Sequence, residues 1–81
     1  MDYKIKRFTS CLDSDYTASD EETYTNFDKA KAELEQEAKD YATQHNFTKI
    51  YLARDKMTAS VDYRLDGKRY QTAWCLYKDE Q

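Results

Sequence analysis

Six carboxylates stand between Leu12 and Asp28, at Asp13, Asp15, Asp20, Glu21, Glu22 and Asp28, with no Lys or Arg among them. Tyr16, Tyr24 and five Ser or Thr hydroxyls are interleaved. Such a block could exchange protons, hold a metal ion, or pair with the cationic side chains of another molecule. Proton transfer and nucleophilic chemistry find no support: His45 is the only histidine, no Ser or Thr has the context of an activated nucleophile, and Gly67 stands alone where a phosphate loop would need several glycines. The pairs Asp13/Asp15 and Glu21/Glu22 could approach Ca²⁺, yet the EF-hand spacing, its turn Gly and its terminal Glu are absent. Two cysteines are too few for a zinc site or a disulfide framework. No enzymatic activity, cofactor or metal is expected. Pairing with an external cation is the chemistry left.

The charge is divided unevenly. Residues 12–40 hold ten acids against three bases, whereas residues 1–11 and 41–81 each carry a small positive excess, within a total of −3. One small domain with this asymmetry has an acidic face and a mildly basic one. An acidic face steers cationic partners over roughly a Debye length, about 8 Å at physiological salt. Its other reading is a solvated helix surface beside a loop.

Periodicity places the elements that must hold this face. From Phe27 to His45, the residues Phe27, Ala30, Leu34, Ala38, Tyr41, Ala42 and His45 recur at steps of three and four, the stripe of an amphipathic helix. At 1.5 Å per residue the helix is about 28 Å long, enough to cross a small sheet. Thr25 or Asn26 caps its start, Asp28 favours the positive end of its dipole, and Asn46 is expected to end it in the left-handed conformation. His45 near that end favours the dipole as an imidazolium. Glu33, Glu35, Glu37, Lys31, Lys39 and Asp40 form its outer face.

Thr48 to Arg54 reads as a strand, and Asp66-Gly67 marks a two-residue hairpin turn. That turn sets Tyr63 against Tyr70, Val61 against Thr72 and Ala59 against Trp74. Ala59, Val61, Tyr63, Leu65, Tyr70, Thr72, Trp74 and Leu76 then share the face that the helix covers, and a one-residue slip would scatter them. Ser60, Asp62, Arg64, Arg69, Gln71, Ala73, Cys75 and Tyr77 share the other. Tyr3 to Leu12 is a further strand, with Ile5 and Phe8 out of strict alternation, which predicts a bulge or twist between them. The expected fold is therefore α+β: a single domain over 1–81 with a four-stranded, largely antiparallel sheet in β-α-β-β-β order and one amphipathic helix on one face. The acidic residues 13–26 fall in the connection before the helix, a stretch long enough to be functional, mobile or a hidden short strand.

Eighty-one residues give one thin core, and eight Tyr, three Phe and Trp74 must supply it. Both Cys11 and Cys75 read as buried small hydrophobes. No apolar run is long enough for a signal peptide or a membrane span, so the expected location is the cytoplasm and no membrane partner is expected.

Three binding readings follow. In the first, Asp13, Asp15, Tyr16, Asp20, Glu21, Glu22 and Tyr24, supported by Glu33, Glu37 and Asp40 on the helix, imitate nucleic-acid phosphates and engage the basic groove of a nucleic-acid-handling host protein. Arg grips carboxylate in the forked geometry it uses for phosphate. Asp13 and Asp15, at alternate positions of an extended segment, would repeat at roughly 6.6 Å. In the second, the sheet face with Arg64, Arg69 and Tyr77, beside Arg54, Lys56 and Lys68, holds single-stranded nucleic acid. The acidic total opposes that, and no direct nucleic-acid contact is expected. In the third, an open sheet edge pairs with a copy of itself or another sheet, a homodimer being one outcome.

The acidic run from Asp13 to Asp28, the abundance of Tyr and the near absence of Gly and Pro resemble the small inhibitors that phages and mobile elements direct against host defence, the anti-CRISPR proteins in particular. Several of those are DNA mimics. The resemblance implies a non-enzymatic inhibitor of a CRISPR effector or similar protein, acting in the cytoplasm of a bacterial host cell. It carries over no residue role, because it rests on no alignable motif.

Overall fold

A computed structural model of the chain describes residues 2–79. Five strands and one helix follow in the order β1 (Asp2–Cys11), β2 (Thr17–Tyr24), α1 (Phe27–Gln44), β3 (Asn46–Leu52), β4 (Thr58–Leu65) and β5 (Lys68–Asp79). The strands form one antiparallel sheet in the order β2-β1-β5-β4-β3. The fold is α+β as expected, with five strands instead of four. The additional strand, β2, occupies most of the acidic connection. Its residues Thr17 to Thr23 are all exposed, so no alternation of apolar and polar side chains announces it. It forms by pairing with β1 across eight consecutive positions.

The hairpin register is the one its turn dictates: Tyr63 opposes Tyr70, Val61 opposes Thr72 and Ala59 opposes Trp74. Asp66 and Gly67 both have positive φ, 53° and 79°, as a turn matched to the twist of its strands requires. Asn26 caps α1 by accepting a hydrogen bond from the Lys29 N–H at 2.9 Å. The other end departs from expectation. The cap residue is His45 in extended backbone, its N–H donating to the Tyr41 carbonyl, and Asn46 already belongs to β3.

Ala30, Leu34 and Ala38 of the helix stripe pack onto Ile5, Ala59, Val61, Tyr63, Trp74 and Leu76 to make the core. Leu65, expected on the covered face, stays exposed beyond it. Thr72 is buried but satisfied, its hydroxyl bonded to Thr9 at 2.9 Å and to the Tyr63 hydroxyl at 3.1 Å. The expected irregularity in β1 is absent, since its pairing with both neighbours is continuous. Ile5 is buried under the helix, and Phe8 lies on the opposite face at 45% exposure; their odd spacing reflects two faces and no bulge. The register shift lies in β3, between Phe47 and Lys49. Cys11 is buried, whereas Cys75 is exposed on the open face, correcting the reading of both as core residues. Among the described residues no helix is long and apolar enough to cross a membrane.

Candidate protein-binding surface

Register with β1 decides where the acids of β2 point. Arg7 stands opposite Asp20, Lys6 opposite Glu21 and Ile5 opposite Glu22. Because side chains alternate between faces, Asp20 and Glu22 share the helix side with Ile5 and Arg7, and Glu21 falls on the open side. The consecutive acids thus serve two surfaces.

On the helix side everything converges on Arg7. Its guanidinium lies 3.1 Å from Asp20 and 3.9 Å from Glu22 of β2, and it pairs with Glu37 of α1. The Arg7 and Glu37 side chains are only 21% exposed, while Asp20 and Glu22 keep 62% and 56%, so these two still present charge to solvent. Tyr24 donates its hydroxyl to Glu22 at 2.8 Å. Burial, that hydrogen bond and the nearby charges of Glu22 and Glu33 push the Tyr24 phenol up to about 12. Glu33 lies one turn before Glu37 on α1 and is exposed. Three carboxylates from two elements, Asp20, Glu22 and Glu37, therefore surround a single guanidinium along the seam between β2 and α1, and Glu33 acts beside them on Tyr24.

Toward the C-terminal end of α1 the seam opens into a groove of about 420 Å³, bounded by Arg7, Asp20, Tyr16, Tyr41, Tyr63 and Tyr70, among others. Its aromatic wall is continuous: His45 stacks on Tyr63 at 4.6 Å, Tyr63 on Tyr70 at 5.7 Å, and Tyr16 meets Tyr70 edge-on at 6.5 Å. Rings that already stack on one another are held rigidly. Tyr16, Tyr41 and Tyr70 keep surface open to a guest, whereas Tyr63 is buried behind them with its hydroxyl bonded to Thr72.

The remaining expected site residues lie elsewhere. Leu12 to Asp15 form a turn, so Asp13 and Asp15 do not lie on an extended segment or repeat along a strand, which corrects that expectation. Asp13 accepts from the Arg69 backbone N–H at 2.7 Å and from its guanidinium at 2.7 and 3.2 Å, tying the β1–β2 turn to β5. These bonds lower the Asp13 carboxyl to about 2. Asp15 is exposed in the same turn. Glu21 accepts from the Tyr77 hydroxyl on the open face, a bond that raises Tyr77 to about 12 and lowers Glu21. Asp40 is exposed on α1, accepting from Gln36 at 2.9 Å. Asp20, Glu22, Tyr24, Glu33 and Glu37 thus come together, with Tyr16 at the groove; Asp13, Asp15, Glu21 and Asp40 do not. Arg69 and Tyr77, which the nucleic-acid reading needs on the open face, are both engaged by this chain's own acids.

Arg7, Tyr41, Tyr63 and Tyr70 line the groove, Tyr63 from the core beneath it, and were not among the expected site residues. A signal for Arg7 does exist in the chain: Lys6-Arg7 and Asp20-Glu21 are complementary when read in opposite directions, the pattern of an antiparallel pair with opposed charges. Among the described residues no group of three or more His, Cys, Asp or Glu side chains could hold a metal ion. Comparisons with protein-family models, curated proteins and solved structures return no match to this chain.

Proposed function

We propose that this protein is a non-enzymatic inhibitor that docks on a basic surface of a nucleic-acid-handling protein through the β2–α1 seam. The observation that carries the reading is the surplus of negative charge there: Asp20, Glu22 and Glu37 share the one guanidinium of Arg7, and Glu33 acts with Glu22 on Tyr24, beside a rigid tyrosine wall. Like charges held this close are unfavourable within the isolated chain, and a partner's Lys or Arg side chains relieve them. A guanidinium that normally clamps phosphate accepts a carboxylate in the same fork, so the seam competes for cations that would hold nucleic acid. The surface acts by occupation and needs no turnover. A nuclease effector of the CRISPR type is the class of target that the compositional resemblance implies.

The test is affinity capture from a bacterial lysate at two salt concentrations, followed by calorimetry of the recovered protein with variants. Asp20→Asn with Glu22→Gln, and separately Glu33→Gln, are expected to weaken binding, each lost contact with a partner cation contributing about 0.5–1.5 kcal/mol. Glu21→Gln, on the opposite face, is expected to leave it unchanged. Glu33 has the particular merit of not touching Arg7, so its replacement leaves the internal ion pairs intact. Equal affinity for the wild type and both seam variants would remove the seam from the mechanism.

A further inference from the structure

The two edges of the sheet are built on opposite plans. β2 carries Asp20, Glu21 and Glu22, and charged side chains on an edge discourage another strand from adding to it. β3, at the other edge, carries one charge, Lys49, and exposes Phe47 at 51%, Ile50 at 41% and Tyr51 at 54%. Three of the seven large hydrophobic residues that the described chain exposes are therefore concentrated on one seven-residue strand whose outer backbone has no strand beside it. An edge of this kind is a template for strand addition.

We propose that β3 is a self-association edge, where two copies pair antiparallel about an axis through Ile50 so that one sheet runs through both. The local order Lys49-Ile50-Tyr51 selects this partner and this register. Ile50 opposes the buried Val61, which places it on the helix side, whereas Lys49 opposes Asp62 and Tyr51 opposes Ser60 on the open side. An axis through Ile50 sets the two Ile50 side chains against each other. It also sets each Lys49 against the partner's Tyr51, a cation beside an aromatic ring, twice by symmetry. An axis through Lys49 would oppose two ammonium groups instead. Pairing β3 with β2 of another copy is the weaker choice, because Thr17 to Thr23 offer no large apolar side chain to cover Phe47 or Ile50. The dimer leaves both β2–α1 seams free, since β2 and β3 are opposite edges.

The decisive experiment combines cross-linking with sedimentation of the full chain. In a Cys75→Ser background, where the remaining native thiol is the buried Cys11, Ile50→Cys places two sulfurs on the axis. Directly opposed antiparallel residues have Cα atoms about 4.5–5.5 Å apart, within disulfide reach. Thr48→Cys in the same background places its thiols four residues out of register, at roughly 13 Å, and is the negative control. Mild oxidation is expected to cross-link the first variant and not the second. Sedimentation across the micromolar to millimolar range should show a monomer–dimer equilibrium for the wild type, weakened about tenfold or more by Tyr51→Lys. Adding Lys49→Glu to Tyr51→Lys should restore it, by setting an acid opposite a base at both symmetric positions. A wild type that stays monomeric at the highest concentration, open-ended oligomers, or equal cross-linking of the two cysteine variants would overturn the proposal. The sedimentation arm decides alone if a cysteine variant fails to fold.

Discussion

Replacing Arg7 by Met keeps the aliphatic stem and removes the cation that Asp20, Glu22 and Glu37 share at the β2–α1 seam. Its interaction with Glu37 joins two side chains only 21% exposed, between the regime of surface pairs, about 0.2–1 kcal/mol, and that of buried ones, where breaking a pair costs about 3–5 kcal/mol. An intermediate figure of about 2 kcal/mol suits the Glu37 pair. Asp20 and Glu22 are more than half exposed, so each adds about 0.5 kcal/mol at most. The expected loss for Arg7→Met is therefore about 2–3 kcal/mol. At 4–8 °C per kcal/mol for a domain of this size, melting should fall by about 10–20 °C.

Urea denaturation of the wild type, Arg7→Met, Glu37→Gln and the double variant closes a cycle that isolates the pair. A coupling energy of about 1–2 kcal/mol is expected, reduced only partly by high salt because the pair is mostly covered. A coupling below about 0.5 kcal/mol would refute the view that Arg7 staples α1 to the edge of the sheet. The same variant also tests the functional reading with the opposite sign. Removing the internal cation leaves the seam more negative, so a basic partner is expected to associate faster with Arg7→Met wherever the fold survives.

Asp13 has its carboxyl lowered from the usual 3.8 to about 2 by its bonds to Arg69, so the native state gains from it above the ordinary carboxylate range and loses that gain as pH falls from about 4 to 2; a carboxyl NMR titration should place its midpoint near 2, and Asp13→Asn should flatten stability across that window. Tyr24 is raised to about 12 by burial first and by Glu22 second, so its contribution is complete below pH 10 and fades as pH rises through 10 toward 12; ultraviolet titration should show Glu22→Gln lowering this late midpoint only in part, leaving Tyr77, whose partner is Glu21, still titrating near 12. Leu34→Ala, at the fully buried centre of the helix stripe, should lower stability by about 2–5 kcal/mol in urea denaturation, enough to unfold much of so small a domain at room temperature.

The parts of this fold legible in the chain are those where one face is buried. Val61, Tyr63, Thr72 and Trp74 alternate because the helix covers one side of their hairpin, and Ala30, Leu34 and Ala38 recur because α1 buries one stripe. β2 lacks that signature, since an exposed edge strand places no demand on the apolar content of its faces. Only its charge complementarity to β1 betrays it, and that is visible once Arg7 is set opposite Asp20. The site was legible to the same extent: Asp20, Glu22, Tyr24, Glu33 and Glu37 converge, whereas the turn captures Asp13 and the strand pleat turns Glu21 away.

The surplus of acid along this seam is what folding alone does not account for. Deterring strand addition at β2 needs a charge on the edge, and fixing Arg7 needs one good carboxylate, which Glu37 supplies from a site as covered as its own. Asp20 and Glu22 then share a guanidinium already engaged, and Glu33 joins Glu22 in acting on the Tyr24 hydroxyl. Two like charges are thus set against one guanidinium in the isolated domain. Departures from local consistency of this kind belong to sites that meet another molecule. On that ground, neutralising Glu33 by Glu33→Gln should raise the stability of the free protein slightly, by up to about 0.5 kcal/mol, while weakening its complex. A variant that lost both stability and affinity would mean that Glu33 serves the fold instead.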